Sequence, residues 1–176
     1  MNTKERLELS LRHCERIRHE LLFSYGWISQ EMIDEQWVEN LDADELKKER
    51  VSAFCARFGK FQDYLSDKVL RLWLEAVGER VGTALENYSV AERAGILGIP
   101  SEQMIEVRTI RNRLTHEYIE NAKSIPADVN AVIRMTPVLL TTLDKLVNHY
   151  ATVVRNSSCH IHGAHCTGVG MPHGVL

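Results

Sequence analysis

The chain has 176 residues, 44% hydrophobic and 26% charged, enough for one globular domain with a substantial core. A formal net charge of -3 and a pI near 6.2 exclude a global basic field for nucleic acid, leaving room only for local arginine contacts. No apolar run approaches the roughly 20 residues of a membrane span, and MNTKERLELSLRH has no apolar leader core, so the cytoplasm is the expected location.

Leu7, Leu11, Cys14, Ile17, Leu21, Tyr25 and Ile28 recur every three or four residues, the period of an amphipathic helix that ends near Gly26. A short helical stretch around Met32 to Val38 follows. In the polar connector NLDADEL, either Asp42 or Asp44 is placed to cap the next helix. That helix is expected to run from Glu45 to Val77, with Phe54, Phe58, Phe61, Leu65, Val69, Leu72 and Ala76 as its seam. Leu70, Trp73, Leu74 and Val77 widen the seam, which makes its second half the most buried part of the fold. Gly78 and Gly82 then break the pattern.

Ser89 and Glu92 have the spacing of a capping box and predict a short helix over VAERAGILG. Pro100 and Ser101 open another helix, SEQMIEVRTIRNRLTHEYIE. Ile125 begins a last long one with a sustained apolar repeat, in which Pro137 predicts a kink. There is no strand alternation, so the expected fold is an all-α, up-and-down bundle of four to five helices over residues 1 to 154. Residues 155 to 176 hold half of the eight histidines and no Lys, Arg, Asp or Glu after Arg155, the composition of a poorly structured tail.

The stretch RNRLTHEY, residues 111 to 118, departs from ordinary core spacing. On an ideal wheel Val107, Ile110, Leu114 and Tyr118 share one side, with Met104 and Arg111 at its margin. Ile105, Asn112, His116 and Ile119 gather roughly opposite, while Arg113 and Glu117 are exposed. A second, partly polar face predicts contact with another chain or a ligand, and a homodimer is the favoured reading. Arg111 and His116 lie about 140° apart, so they are not natural neighbours within one helix. A second copy of the helix would bring both residue types into one cleft. Asn112 and His116, four apart, are spaced for the amide to orient the imidazole.

Those residue types suit RNA cleavage. Histidine can take the proton of a ribose 2′-hydroxyl and return one to the leaving 5′-oxygen. Arginine can hold the phosphate and offset the charge of the transition state. No metal or other cofactor is needed, and DNA, lacking the 2′-hydroxyl, is not a substrate.

The pattern Arg111-x4-His116-x-Tyr118, with Asn112 after the arginine and FGKFQDYLSDK in the preceding helix, resembles the HEPN superfamily, and within it HepT-like toxins of the HEPN/MNT toxin–antitoxin modules. The resemblance implies an α-bundle that dimerises through this motif and acts as a metal-independent ribonuclease. It implies Arg111 and His116 as catalytic residues and Asn112 as a supporting polar group. Tyr118 would be the residue that a cognate MNT-type nucleotidyltransferase antitoxin modifies with AMP, blocking RNA. The alternative it leaves is a catalytically inactive HEPN module that binds a nucleotidyltransferase.

Other residues have plainer readings beside sharper ones. Arg108 and Arg113 are candidates for RNA phosphate contacts or solvated helix charges. Asp63 and Asp67, one turn apart, read better as ion-pair partners for Lys60, Lys68 or Arg111 than as an acid–base pair. Cys159, His162, His165 and Cys166 supply zinc-type ligands without the spacing of a common finger, so no metal site is expected there.

Overall fold

A computed structural model describes residues 1–116 and 125–154, the side chains of residues 42, 115, 116, 153 and 154 excepted. Among the described residues the chain is all-α, without strands, and no helix is long and apolar enough to cross a membrane. Helix α1 spans Thr3–Ile28. Asn2 and Glu5 cap it reciprocally, each side chain accepting a backbone N–H of the other at 2.9 and 3.0 Å. Its predicted stripe is buried from Leu7 to Ile28, except that Tyr25 is only half-buried. Helix α2, Glu35–Glu39, is capped by Asp34, and a 3-10 turn, Asn40–Ala43, leads to α3, Glu45–Asp63. Of the two aspartates offered as the α3 cap, Asp44 does the work, accepting from the Lys47 N–H at 2.9 Å.

The expected single helix from Glu45 to Val77 is instead three segments: α3, a π-helical stretch Tyr64–Leu70, and α4, Arg71–Val77. The seam explains why. Positions 54, 58, 61 and 65, extended in alternating steps of three and four, would next fall on Lys68 and later on Glu75. Both of these are exposed, while Val69, Leu70, Leu72, Trp73 and Leu74 are buried. A wider turn takes up that slip and swings the apolar residues back to the core. Gly78, at φ 82°, closes α4 in the left-handed conformation that glycine adopts without penalty.

Helix α5, Ala84–Arg93, begins six residues before the position expected from Ser89. The operative capping box is Thr83 with Glu86, whose carboxylate accepts from the Thr83 N–H at 2.7 Å and the Thr83 hydroxyl at 2.8 Å. Ser89 sits mid-helix and donates to the Leu85 carbonyl, a local bond that competes with capping. Glu92 accepts instead from the backbone N–H of Ser101, at the start of α6, Ser101–His116. Helix α7 spans Ile125–His149 with Pro137 inside it, and a π-helical turn, Tyr150–Val154, follows.

Helix α1 packs along α3 and α4, and α6 lies against α7, α5 and α3. The far end of the bundle is tied by Trp73, whose indole Nε1 donates to His149 Nδ1 at 3.1 Å, and by Tyr150, whose hydroxyl donates to Glu8 at 2.7 Å.

One core position breaks the apolar rule. Gln62 on α3 is 1% exposed, and neither its amide nitrogen nor its amide oxygen has a hydrogen-bond partner among the described residues. Burying such a group unpaired costs more than an apolar group of similar shape. Gln62→Met is therefore expected to raise stability by about 1 kcal/mol in urea denaturation. A variant less stable than wild type would show that the amide is satisfied in solution.

Candidate active site

Helix α6 presents its predicted apolar side to the core: Met104, Val107, Ile110 and Leu114 are all buried. The opposite side is more open, with Ile105 half-buried and Asn112 exposed. Arg111 stands at the margin between them, as its position on the wheel requires. Its side chain is 16% exposed and crosses α3.

Among the described residues, Asp63 and Asn112 both hold the Arg111 guanidinium. One terminal nitrogen contacts the Asp63 carboxylate at the end of α3, and the other donates to Asn112 Oδ1 at 2.6 Å. Burial pulls this guanidinium down from its ordinary value. The adjacent carboxylate favours the charged form, so Arg111 stays cationic in the neutral range. The Asn112 carbonyl thus meets the neighbouring arginine, and its expected contact with His116 lies outside the described residues. His116 ends α6, and its side chain lies outside the described residues, as do Tyr118 and the tail residues Cys159, His162, His165 and Cys166.

A residue that the sequence reading passed over lies beneath Arg111. A Cβ built on Gly59 would sit 3.3 Å from Arg111 Nε and 3.4 Å from its Cδ and Cγ. Glycine inside a helix lowers stability by about 1 kcal/mol relative to alanine, so one in the middle of α3 calls for a packing reason. The close passage of Arg111 supplies it. That helix penalty was the signal available in FGKFQD.

The flanking arginines are not bare solvated charges. Arg108 makes a two-pronged contact with Asp67, at 3.2 and 3.3 Å. Arg113 does the same with Asp128 of α7, at 3.0 and 2.6 Å. Asp63 and Asp67 are therefore ion-pair partners of α6 arginines. The first two pairs leave their carboxylates about half exposed. In the third, Asp128 is 6% exposed and lies in the first turn of α7, where the helix dipole favours its charge.

Nucleophilic cysteine chemistry is disfavoured in the described bundle. Burial pushes the thiols of Cys14 and Cys55 up to about 12, far from the thiolate form at neutral pH. Among the described residues no group of three or more His, Cys, Asp or Glu side chains is placed to hold a metal ion. What the site offers is an oriented cation on one helix, with a histidine at that helix's end. No family model matches the chain, and neither a curated protein nor a solved structure matches it.

Proposed function

We propose that this chain is a metal-independent endoribonuclease of the HEPN type, the toxin of a toxin–antitoxin pair, working as a homodimer in the cytoplasm. The observation that carries the reading is Arg111: half-buried, laid over Gly59, and aimed by Asp63 and Asn112 five residues ahead of His116. An arginine fixed in this way can stabilise a phosphorane without first losing side-chain freedom. His116 takes the proton from the ribose 2′-hydroxyl, and the 2′-oxygen attacks the adjacent phosphorus. The 5′-oxygen leaves with a proton from histidine, giving a 2′,3′-cyclic phosphate and a 5′-hydroxyl end. The open side of α6, with Ile105 and Asn112, is the surface on which a second copy would complete the cleft.

Control would act at Tyr118. It lies two residues beyond His116, so its backbone stays within about 7 Å of that histidine whatever path the chain takes. AMP transferred there by an MNT-type nucleotidyltransferase would set a bulky anion within two residues of His116 and compete with RNA. The Asp63 contact favours a second reading, in which Arg111 is occupied and the chain is an inactive HEPN module that binds the nucleotidyltransferase.

Single-stranded RNA incubated with the purified chain separates the two. The nuclease reading expects fragments ending in 2′,3′-cyclic phosphate, undiminished by a metal chelator. RNA left intact at micromolar protein would pass the argument to the binding module. Co-expression with the nucleotidyltransferase is expected to add AMP to Tyr118 by mass spectrometry and to leave Tyr118→Phe unmodified. A modified Tyr118→Phe chain would remove Tyr118 from the scheme.

A further inference from the structure

A polar cavity lies one turn along α6 from Arg111, between the π-helical stretch, the start of α5 and α6. It measures about 230 Å³ and is lined by Ser66, Asp67, Arg71, Thr83, Tyr88 and Arg108 among others. That is several times the roughly 30 Å³ share of one water molecule.

Two of these side chains carry an unexplained polarity. Ser66 is 7% exposed and Tyr88 is 1% exposed; their hydroxyls face each other, with Arg108 beside the phenol, yet neither makes a hydrogen bond of normal geometry among the described residues. Buried hydroxyls so incompletely satisfied are uncommon in folded chains, and two lining one cavity point to a ligand. Burial also pushes the Tyr88 phenol up from its ordinary value, so at neutral pH it is a donor. The charges agree with an anion. Arg71 is exposed at the cavity and pairs with no carboxylate among the described residues, while Arg108 shares Asp67 in a half-open pair. Asp67 opposes an anion, yet the lining retains one net positive charge. The α5 N-terminus is not the driver, since Thr83 and Glu86 already cap it.

We infer that this cavity binds a phosphate group, with Ser66 and Tyr88 donating their hydroxyl protons to its oxygens and Arg71 supplying the charge. Its place one helical turn from Arg111, a rise of about 4.5 Å, favours an internucleotide phosphate of the RNA strand flanking the cleaved bond. Naming the strand as RNA rests on the ribonuclease reading; the affinity for phosphate does not.

The test titrates the full chain with inorganic phosphate, with AMP, and with a short single-stranded oligoribonucleotide, the last in a His116→Ala background that blocks cleavage. Arg71→Gln and Tyr88→Phe are each expected to weaken oligonucleotide binding about tenfold. Arg71→Gln should also lower the salt slope by about 0.7, the share of one single-strand phosphate contact. Asp67→Asn is expected to tighten binding severalfold, which no loss of structure would do. Tyr88→Phe removes a hydroxyl that meets Ser66 and Arg108 only in poor hydrogen-bond geometry, so its melting temperature should change little.

Losses seen with AMP as well as the oligonucleotide would make a mononucleotide the ligand. If all probes bind the variants as they bind wild type, or none binds the wild-type chain, the inference is overturned. The two readings fail separately. A chain that cleaves RNA through Arg111 but binds it equally well with Arg71→Gln keeps the nuclease and loses the cavity. A chain that cleaves nothing but binds AMP or phosphate through Arg71 keeps the cavity and loses the nuclease.

Discussion

Arg111→Ala and His116→Ala are each expected to lower RNA cleavage by roughly 10²- to 10⁴-fold, the usual contribution of a positioned acid–base group or an oxyanion-stabilising donor. Growth arrest on expression of the chain alone should disappear with either substitution. The arginine variant is the sharper of the two, because its partners predict how the fold responds. Asp63 is close to half exposed and Asn112 is exposed, so both can be hydrated once the guanidinium is gone. The melting temperature should therefore change little while activity collapses. Arg111→Lys tests the geometry further: an ammonium lacks the rigid planar fork that reaches Asp63 and Asn112 from opposite ends, so it should recover little activity. Full cleavage by Arg111→Ala would show that the residue only ties α6 to α3, and the proposed chemistry would have to be abandoned.

The largest stability effect is expected at Trp73. The indole is 2% exposed, donates to His149 Nδ1 at 3.1 Å, and meets that imidazole edge-on with ring centroids 5.3 Å apart. Trp73→Ala removes a large buried ring and one hydrogen bond at the junction of α4 with the end of α7. It should cost about 3–5 kcal/mol, a fall in melting temperature of roughly 6–20 °C for a chain of this size. Trp73→Phe keeps most of the buried ring and loses the N–H, so about 1–2 kcal/mol is expected. An alanine variant within 1 kcal/mol of wild type would mean that the π-helical stretch lets α4 repack around the gap.

How far such features could be read in advance depended on whether the code was periodic or positional. The stripes of α1, α6 and α7 are periodic: Leu7 through Ile28 and Met104 through Leu114 place themselves on one face by spacing alone. The wide turn at Tyr64–Leu70 left only a phase slip, the exposed Lys68 and Glu75 where a straight seam would put apolar side chains. The start of α5 was misplaced because Thr83–Glu86 and Ser89–Glu92 have the same spacing. Only the tertiary fold, in which Glu92 turns to Ser101, chooses between them. At the site, Arg111, Asn112 and His116 stood out by residue type. The pairing of Arg111 with Asp63 was one of the options that the sequence offered, whereas the role of Gly59 and the partners of Arg108 and Arg113 were not legible, because they join residues 15 to 52 positions apart.

The contact between Arg113 and Asp128 has a bearing on what lies between them in the chain. It joins two positions 15 residues apart, one near the end of α6 and one at the start of α7, and so closes a loop that contains His116 and Tyr118. The entropy of closing a loop grows only with the logarithm of its length, about 0.6 kcal/mol for each doubling. With both ends pinned by an ion pair and by helix packing, changing the length of this interval costs the bundle little entropy. The buried Leu114 and Ile125 at its two edges are instead the positions where a substitution would put the fold at risk.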